Sequence, residues 1–264
     1  MGAGIAYSSL AAGIQVVLLD NDEAGLVRGQ ATIKALFEGG MARGRVTEQG
    51  MADGLARLKT TQNYPDIADV DLVIEAVFEN MSIKKEVFSR LDEAVRPGAI
   101  LATNTSTLDI DQIAGATRRP EDVIGLHFFS PAHVMRLIEI VRGSETSQDV
   151  VATALSFSKR LRKMGVVVGN CFGFVGNRML YSYGRESQLL LLEGATPEQI
   201  DAALTNFGMA MGPHAVGDLA GLDVGYKVRS ERTDLPDDPR FYRIANVLSE
   251  MGRVGQKTGK GMYL

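Results

Sequence analysis

The chain has 264 residues, 45% of them apolar and 23% charged, with a formal net charge of −4. That length suffices for one large domain or two modest ones with ample core, and the charge balance excludes the global basic field that draws nucleic acid. No apolar run approaches the roughly 20 residues that span a bilayer, so no membrane partner is expected. The single Cys171 makes no internal disulfide, which fits a reducing, cytoplasmic setting.

The opening MGAGIAYSSLAAG reads as a helix already under way, rich in small residues and ended by Gly13. Residues 15–19 form a short apolar strand closed by Asp20. Helices are expected over 22–38 and 47–58, the second capped by Thr47, with the Gly/Arg-rich GGMARGR between them. DLVIEAV, residues 71–77, is a buried strand, and 82–95 an amphipathic helix stopped by Pro97-Gly98. A strand over 100–102 leads into the polar loop Asn104-Thr105-Ser106-Thr107, and a short helix occupies 109–114. Two apolar strands, 123–129 and 137–141, are joined by a loop containing Pro131. A helix over 149–163 and a strand over 166–168 follow. Beyond Phe174 the signals are helical, over 174–192, 197–207, 216–231 and 241–251.

Strands alternating with helices predict a parallel, doubly wound sheet with helices on both faces. The domain boundary falls near Asn170, giving a sheet domain over 1–170 and an all-α domain over 171–264. In a dinucleotide-binding sheet the pyrophosphate sits on a helix N-terminus and an acid at the end of the next strand takes the ribose. Gly2 and Asp20 stand at about the spacing expected of the last glycine and that acid. Asn21 and Asp22 follow, with no Arg nearby, which favours NAD over NADP. The expected fold is thus a Rossmann-type sheet lacking its first strand and first two glycines, as though Met1 were internal to a longer protein. Gly2 and Gly4 read equally as glycines that let a helix pack closely.

His127 ends the first of the paired strands and Glu139 lies twelve residues later in the second. Histidine is the side chain that ordinarily titrates near neutrality, and a carboxylate can orient it as a base. By local pattern alone His127 reads as a buried, satisfied residue, and Glu139, between Ile138 and Ile140, as a solvent-facing one. Ser106 and Asn104 read as turn formers, Asn177 as an exposed helical residue, His133 and His214 as structural, and Asp218 and Asp223 as helix-start or interdomain residues. No His, Cys and Asp cluster has metal-ligand spacing, and Cys171 lacks a base partner.

The segments MGAGIA, VVLLD, DLVIEAVFEN, ATNTST, GLHFFSPAHVMRLIEIV, GVVVGNCFGFVGNRML, MGPHAVGDLAGLDVG and GQKTGKGMYL together resemble the L-3-hydroxyacyl-CoA dehydrogenase family. They are most like the dehydrogenase part of the peroxisomal-type multifunctional enzymes of fatty-acid β-oxidation. They run along essentially the whole chain, and HFFSPAHVMRL with GNCFGFVGNRM carries more specificity than any glycine motif. Ser130 stands where many relatives have Asn; the bifunctional type has Ser.

The resemblance implies NAD-dependent oxidation of an L-3-hydroxyacyl-CoA to the 3-oxoacyl-CoA. His127 would be the base, Glu139 its orienting partner, Ser106 a hydrogen-bonding partner of the C3 oxygen, and Asn177 a residue that positions the acyl group. Asp20 would hold the adenosine ribose, with Glu79, Lys84 and Asn104 along the nicotinamide side. Implied partners are an acyl-CoA substrate and a second copy bound through the C-terminal helices. The implied location is cytoplasmic, or peroxisomal in a eukaryote. A second reading is a truncated, catalytically impaired member that binds acyl-CoA or serves structurally, as a lens crystallin of the family does. Gulonate and 3-hydroxybutyryl-CoA dehydrogenases share the dyad, but HFFSPAHVMRL fits them less well.

Overall fold

The computed structural model describes residues 1–230, 232 and 235–263. Its backbone contacts divide it into Met1–Val175 and Gly176–Leu264. The division falls after Val175 because that residue's amide donates to Glu139 in the sheet, at 3.0 Å. The sequence reading placed the boundary five residues earlier, at 170.

The first unit begins with α1 (Gly2–Ala11), β1 (Val16–Leu19), α2 (Glu23–Ala42), α3 (Glu48–Ala56) and β2 (Leu58–Thr61). It continues with β3 (Leu72–Glu75), α4 (Met81–Ala94), β4 (Ile100–Thr103), α5 (Ile110–Ala114), β5 (Val123–Phe128), β6 (Leu137–Arg142), α6 (Gln148–Arg160) and β7 (Met164–Gly169). Among the described residues the strands form two pieces, a parallel β1–β2 pair and a five-stranded sheet in the order β3-β4-β5-β6-β7. Strands β3, β4 and β5 run parallel, β6 runs antiparallel to β5, and β7 is parallel to β6.

Every residue of β4 and β5 is buried, as continuous apolar runs in the middle of a two-sided sheet should be. Alternate side chains feed two cores. Leu101, Val123 and Val141 pack with Phe88 and Leu91 of α4 and Ile110 and Ile113 of α5. Ile100, Ala102, Ile124, Leu126, Ile138 and Ile140 pack with Ile5 of α1 and Val150 and Ala154 of α6. Helices therefore cover both faces, the doubly wound arrangement expected from the sequence. By contrast all of β1 is only half-buried, as are Leu72, Val73 and Ile74 of β3.

Three expectations for this unit are corrected. The helix predicted over 47–58 ends at Ala56 and gives way to β2; the strand's Lys59 and Thr60 mask it as polar. The glycines of the predicted connector continue α2 to Ala42, because a Cβ at Gly40 would stand 2.8 Å from the Val46 side chain, so bare backbone gives close packing there. The all-parallel sheet is interrupted at β6, because residues 129–136 are too few for a crossover helix and suffice only for a hairpin-type return.

The second unit is helical: α7 (Gly176–Leu192), α8 (Pro197–Phe207), α9 (Pro213–Ala220), α10 (Leu222–Ser230) and α11 (Arg243–Glu250). Thr196 and Gln199 form a reciprocal capping box on α8, with Pro197 in its first turn. The helix predicted over 216–231 is two helices broken at Gly221, whose φ of +98° suits glycine; its last residue, Glu231, lies outside the described residues, as does Leu264 of the last motif. Asp218 is part of a clasp. Its carboxylate accepts from the Met262 and Tyr263 amides at 2.7 and 3.0 Å. Asp201 accepts from the His214 and Ala215 amides and from the Tyr263 hydroxyl at 2.7 Å. His214 is buried beside this clasp, and burial pushes its imidazole below its ordinary value, while the carboxylates of Asp201, Asp218 and Glu198 pull the other way. No described helix is long and apolar enough to cross a membrane.

Candidate active site

Side chains two apart on a strand share a face. Val73 and Glu75 on β3, Leu101 and Thr103 on β4, Val123 and His127 on β5, and Val141 and Glu139 on β6 therefore all belong to the face covered by α4 and α5. On each strand the apolar residue enters the core, and the polar one lies toward the carboxyl edge of the parallel strands. Ligands of open α/β sheets bind outside that edge.

In the antiparallel β5–β6 pair, His127 stands directly opposite Glu139. Side chains so paired share a face and lie within reach of each other. His127 Nδ1 is 2.7 Å from Glu139 Oε2, and their side chains are 7% and 2% exposed. Glu139 is thus turned inward, not to solvent. Its other oxygen, Oε1, accepts from the Val175 amide. The rings of Phe129 and Phe174 lie 4.4 and 5.7 Å from the imidazole, so the pair is walled by apolar surface. The ring is held by a carboxylate on one nitrogen, the arrangement that lets the other nitrogen exchange a proton.

Beside the dyad, Asn104 Oδ1 accepts from the Phe128 amide at 2.9 Å, tying the loop after β4 to the end of β5. The turn that follows carries Ser106 and is gathered on one atom, Glu79 Oε1. That oxygen accepts from Thr105 Oγ1 at 2.7 Å, Ser106 N at 2.8 Å, Ser106 Oγ at 3.0 Å, Thr107 N at 3.2 Å and Thr107 Oγ1 at 3.3 Å. Burial pushes the Glu79 carboxyl up, but the Thr105 and Ser106 hydrogen bonds and the Lys84 ammonium outweigh it and hold the group below its ordinary value.

Lys84 is buried. Its Nζ lies 2.7 Å from Glu75 Oε1 and 3.5 Å from Glu79 Oε2, with the lysine and Glu75 side chains each 1% exposed. Sequence reasoning singled out Glu79, Lys84, Asn104 and Ser106 but missed Glu75, Thr103 and the Val175 amide. The signal for Glu75 was present: an ionisable residue inside the apolar run DLVIEAV calls for a buried partner.

The dinucleotide implied by the sequence fits the same edge. Helix α1 starts at Gly2 with no side-chain cap and no acidic residue in its first turn, leaving an N-terminus suited to a phosphate. A Cβ at Gly2 would lie 3.8 Å from that of Ala76, and one at Gly4 would lie 3.2 Å from that of Ala132, so the helix start sits against the segments leaving β3 and β5. Asp20 follows the last residue of β1, half-buried, and accepts from the Asp22 amide at 3.1 Å. A Cβ at Gly25 would lie 2.6 Å from an Asp20 oxygen, so the glycine gives the carboxylate room. Asn177 is the second residue of α7, in the helical unit. Among the described residues no group of three His, Cys, Asp or Glu side chains could hold a metal ion.

Comparison with known proteins identifies the family. Residues 1–171 match the family model described as 3-hydroxyacyl-CoA dehydrogenase, NAD binding domain, and residues 173–264 its C-terminal domain. The human peroxisomal bifunctional enzyme is 46% identical over 275 residues, which take in 100% of this chain and 38% of that protein. The fatty acid oxidation complex subunit alpha of Pseudomonas syringae is 38% identical over 267 residues, 100% of this chain and 37% of the relative. Among solved structures, (S)-3-hydroxybutyryl-CoA dehydrogenase PaaH1 from Ralstonia eutropha has a TM-score of 0.93 at 35% identity, covering 100% of this chain and 95% of that one. The chain thus spans less than two fifths of the curated relatives' length. With residues 1–171 and 173–264 matched by its two family models, the chain belongs to the 3-hydroxyacyl-CoA dehydrogenase family.

Proposed function

We propose that the chain interconverts an L-3-hydroxyacyl-CoA and the corresponding 3-oxoacyl-CoA with NAD, as in fatty-acid β-oxidation. The observation that supports this most is the buried pairing of His127 Nδ1 with Glu139 Oε2 at 2.7 Å, on the sheet edge shared with the Ser106 turn. Oxidising a secondary alcohol requires a base for the hydroxyl proton, partners for the C3 oxygen and an acceptor for the hydride; NAD supplies the last. His127 takes the proton on Nε2, since Nδ1 is engaged, and Glu139 compensates the charge of the imidazolium. Ser106 and Asn177 hydrogen-bond and position the reacting oxygen and acyl group. Gly2, at the helix start, and Asp20 serve the pyrophosphate and the adenosine ribose. Glu79, Lys84 and Asn104 line the nicotinamide side.

The partner is an acyl-CoA, with a second copy of the chain bound through the helical unit, where Met179 and Phe207 are 70% and 85% exposed. The setting is the cytoplasm, or the peroxisome in a eukaryote. The test is reduction of acetoacetyl-CoA by NADH, followed by NADH absorbance, together with NADH fluorescence titration. We expect saturable NADH binding, turnover, and a fall of about 10²–10⁴-fold in kcat for His127→Gln. Binding without turnover, or a His127→Gln variant as active as the parent, overturns the proposal. No saturable binding favours the non-catalytic reading.

A further inference from the structure

The buried carboxylate of Glu75 is unused by the chemistry above, yet three donors converge on it at the carboxyl edge. Its Oε1 accepts from Lys84 Nζ at 2.7 Å and from the Val77 amide at 2.6 Å, and its Oε2 accepts from Thr103 Oγ1 at 2.7 Å. These donors come from three places: α4, the segment after β3, and the end of β4. We propose that Glu75 is a positioning residue, which through two hydrogen-bonded routes fixes the 105–107 turn that presents Ser106 to the substrate oxygen. The substrate role of Ser106 rests on the function proposed above.

The first route runs through charge. Lys84 is an ammonium with its side chain 1% exposed, a state tolerated only with close carboxylates. Glu75 at 2.7 Å holds it, and Glu79 Oε2 stands farther off at 3.5 Å. That spacing leaves Glu79 Oε1 free to gather the five donors of residues 105–107. Remove the Glu75 charge and Lys84 has one carboxylate left within reach. The ammonium then closes on Glu79 and draws it off the turn.

The second route runs through a hydroxyl. Thr103 Oγ1 donates its proton to Glu75 Oε2 and accepts from the Thr105 amide at 3.2 Å. The direction of that chain is set by Glu75, because a carboxylate in this state only accepts. Both routes end on the same turn, Thr105 to Thr107, so Glu75 orders it from two sides without touching Ser106.

The test uses the full chain without cofactor, by amide hydrogen exchange, and then with substrates. In Glu75→Gln, the Ser106 and Thr107 amides should exchange about tenfold faster, the loss of roughly one hydrogen bond of protection. The β5 amides of Leu126 and Phe128 should keep their rates. In turnover, kcat of Glu75→Gln should fall in step with the faster exchange at Ser106. The double variant Glu75→Gln/Lys84→Met should exchange more slowly at Ser106 and Thr107 than Glu75→Gln alone, because no ammonium remains to draw Glu79 off the turn. Thr103→Val, nearly isosteric, cuts the second route alone and should speed the Thr105 amide selectively, so the proposal stays testable if Glu75→Gln fails to fold. Unchanged exchange at residues 105–107 in a folded single variant, or equal loosening of β5, overturns it. The exchange readout decides even if the parent shows no turnover, which separates this failure from that of the proposed function.

Discussion

Replacing Glu139 by glutamine tests the dyad with minimal change of shape. The two carboxylate oxygens have different tasks: Oε2 faces His127 Nδ1 at 2.7 Å, and Oε1 accepts from the Val175 amide at 3.0 Å. A carboxamide offers one oxygen and one NH₂. The Val175 N–H is a fixed donor, so the oxygen goes to it and the NH₂ turns to Nδ1. Nδ1 must then accept, and the proton of the neutral ring moves to Nε2, the nitrogen that has to receive the substrate's proton. Where an amide replaces the acid behind a catalytic histidine the loss is roughly 10³–10⁴-fold, or about 4–5.5 kcal/mol at ~1.36 kcal/mol per decade. The opposite amide orientation instead sets two donors against each other in a buried site, at about 1–3 kcal/mol of stability. A domain of ordinary stability, about 5–15 kcal/mol, survives that. The assay is kcat/KM for acetoacetyl-CoA reduction, a thermal melt to show folding, and ring-nitrogen NMR of His127 to read the tautomer. A folded Glu139→Gln within about threefold of the parent refutes the reasoning, as does a His127 ring that keeps its proton on Nδ1.

Other substitutions probe the scaffold and the cofactor. Gly125→Ala places a Cβ 2.7 Å from Val141 Cβ and 3.0 Å from Ile110 Cδ1; we expect about 1–3 kcal/mol lost in urea titration, and no change in the midpoint would contradict that packing. Asp20→Ala should raise the KM for NADH about tenfold and narrow its advantage over NADPH; an unchanged ratio removes Asp20 from the ribose site. His214 is held below its ordinary value of 6.5 by burial, so it is neutral when folded and takes a proton on unfolding in mild acid. Its contribution is complete above 6.5 and is lost as pH falls from there toward the lowered folded value. His133, lowered by burial and by Arg43 and Lys163, acts in the same direction. His214→Gln should therefore flatten, without abolishing, the loss of stability as pH falls from neutrality into mild acid; an identical slope excludes the assignment.

The two strands that carry the dyad were legible because their signals are short-range, whereas the pairing of His127 with Glu139 rested on the family resemblance. Residues 123–129 and 137–141 are apolar runs too close together for anything but adjacent strands, and the register then follows from the pleat. The parts that escaped depend on tertiary context. Strand β2 reads as polar, and only its pairing with β1, Val16 opposite Leu58 onward, makes it a strand. The break at Gly221 lies inside a helical pattern and shows itself only through φ. The burial of Lys84 is invisible on a helix that also carries Lys85 and Glu86; it takes the facing Glu75 of β3 to draw one lysine fully inward while its neighbour stays half-buried.

The Asp201–Asp218 clasp gives the helical unit a particular order of assembly. Its partners Met262 and Tyr263 lie 44 to 62 residues downstream of the carboxylates they satisfy, so these two acids, buried in the finished fold, are not fully partnered until residues 262 and 263 have been made. The His127–Glu139 pair, by contrast, is closed within 12 residues, and the last link to it from the first unit comes at Val175. On a ribosome adding residues one after another, the sheet unit can reach its final form while the helical unit still waits for its clasp. A nascent chain stalled between the two points would carry a formed dyad behind an unfinished helical unit.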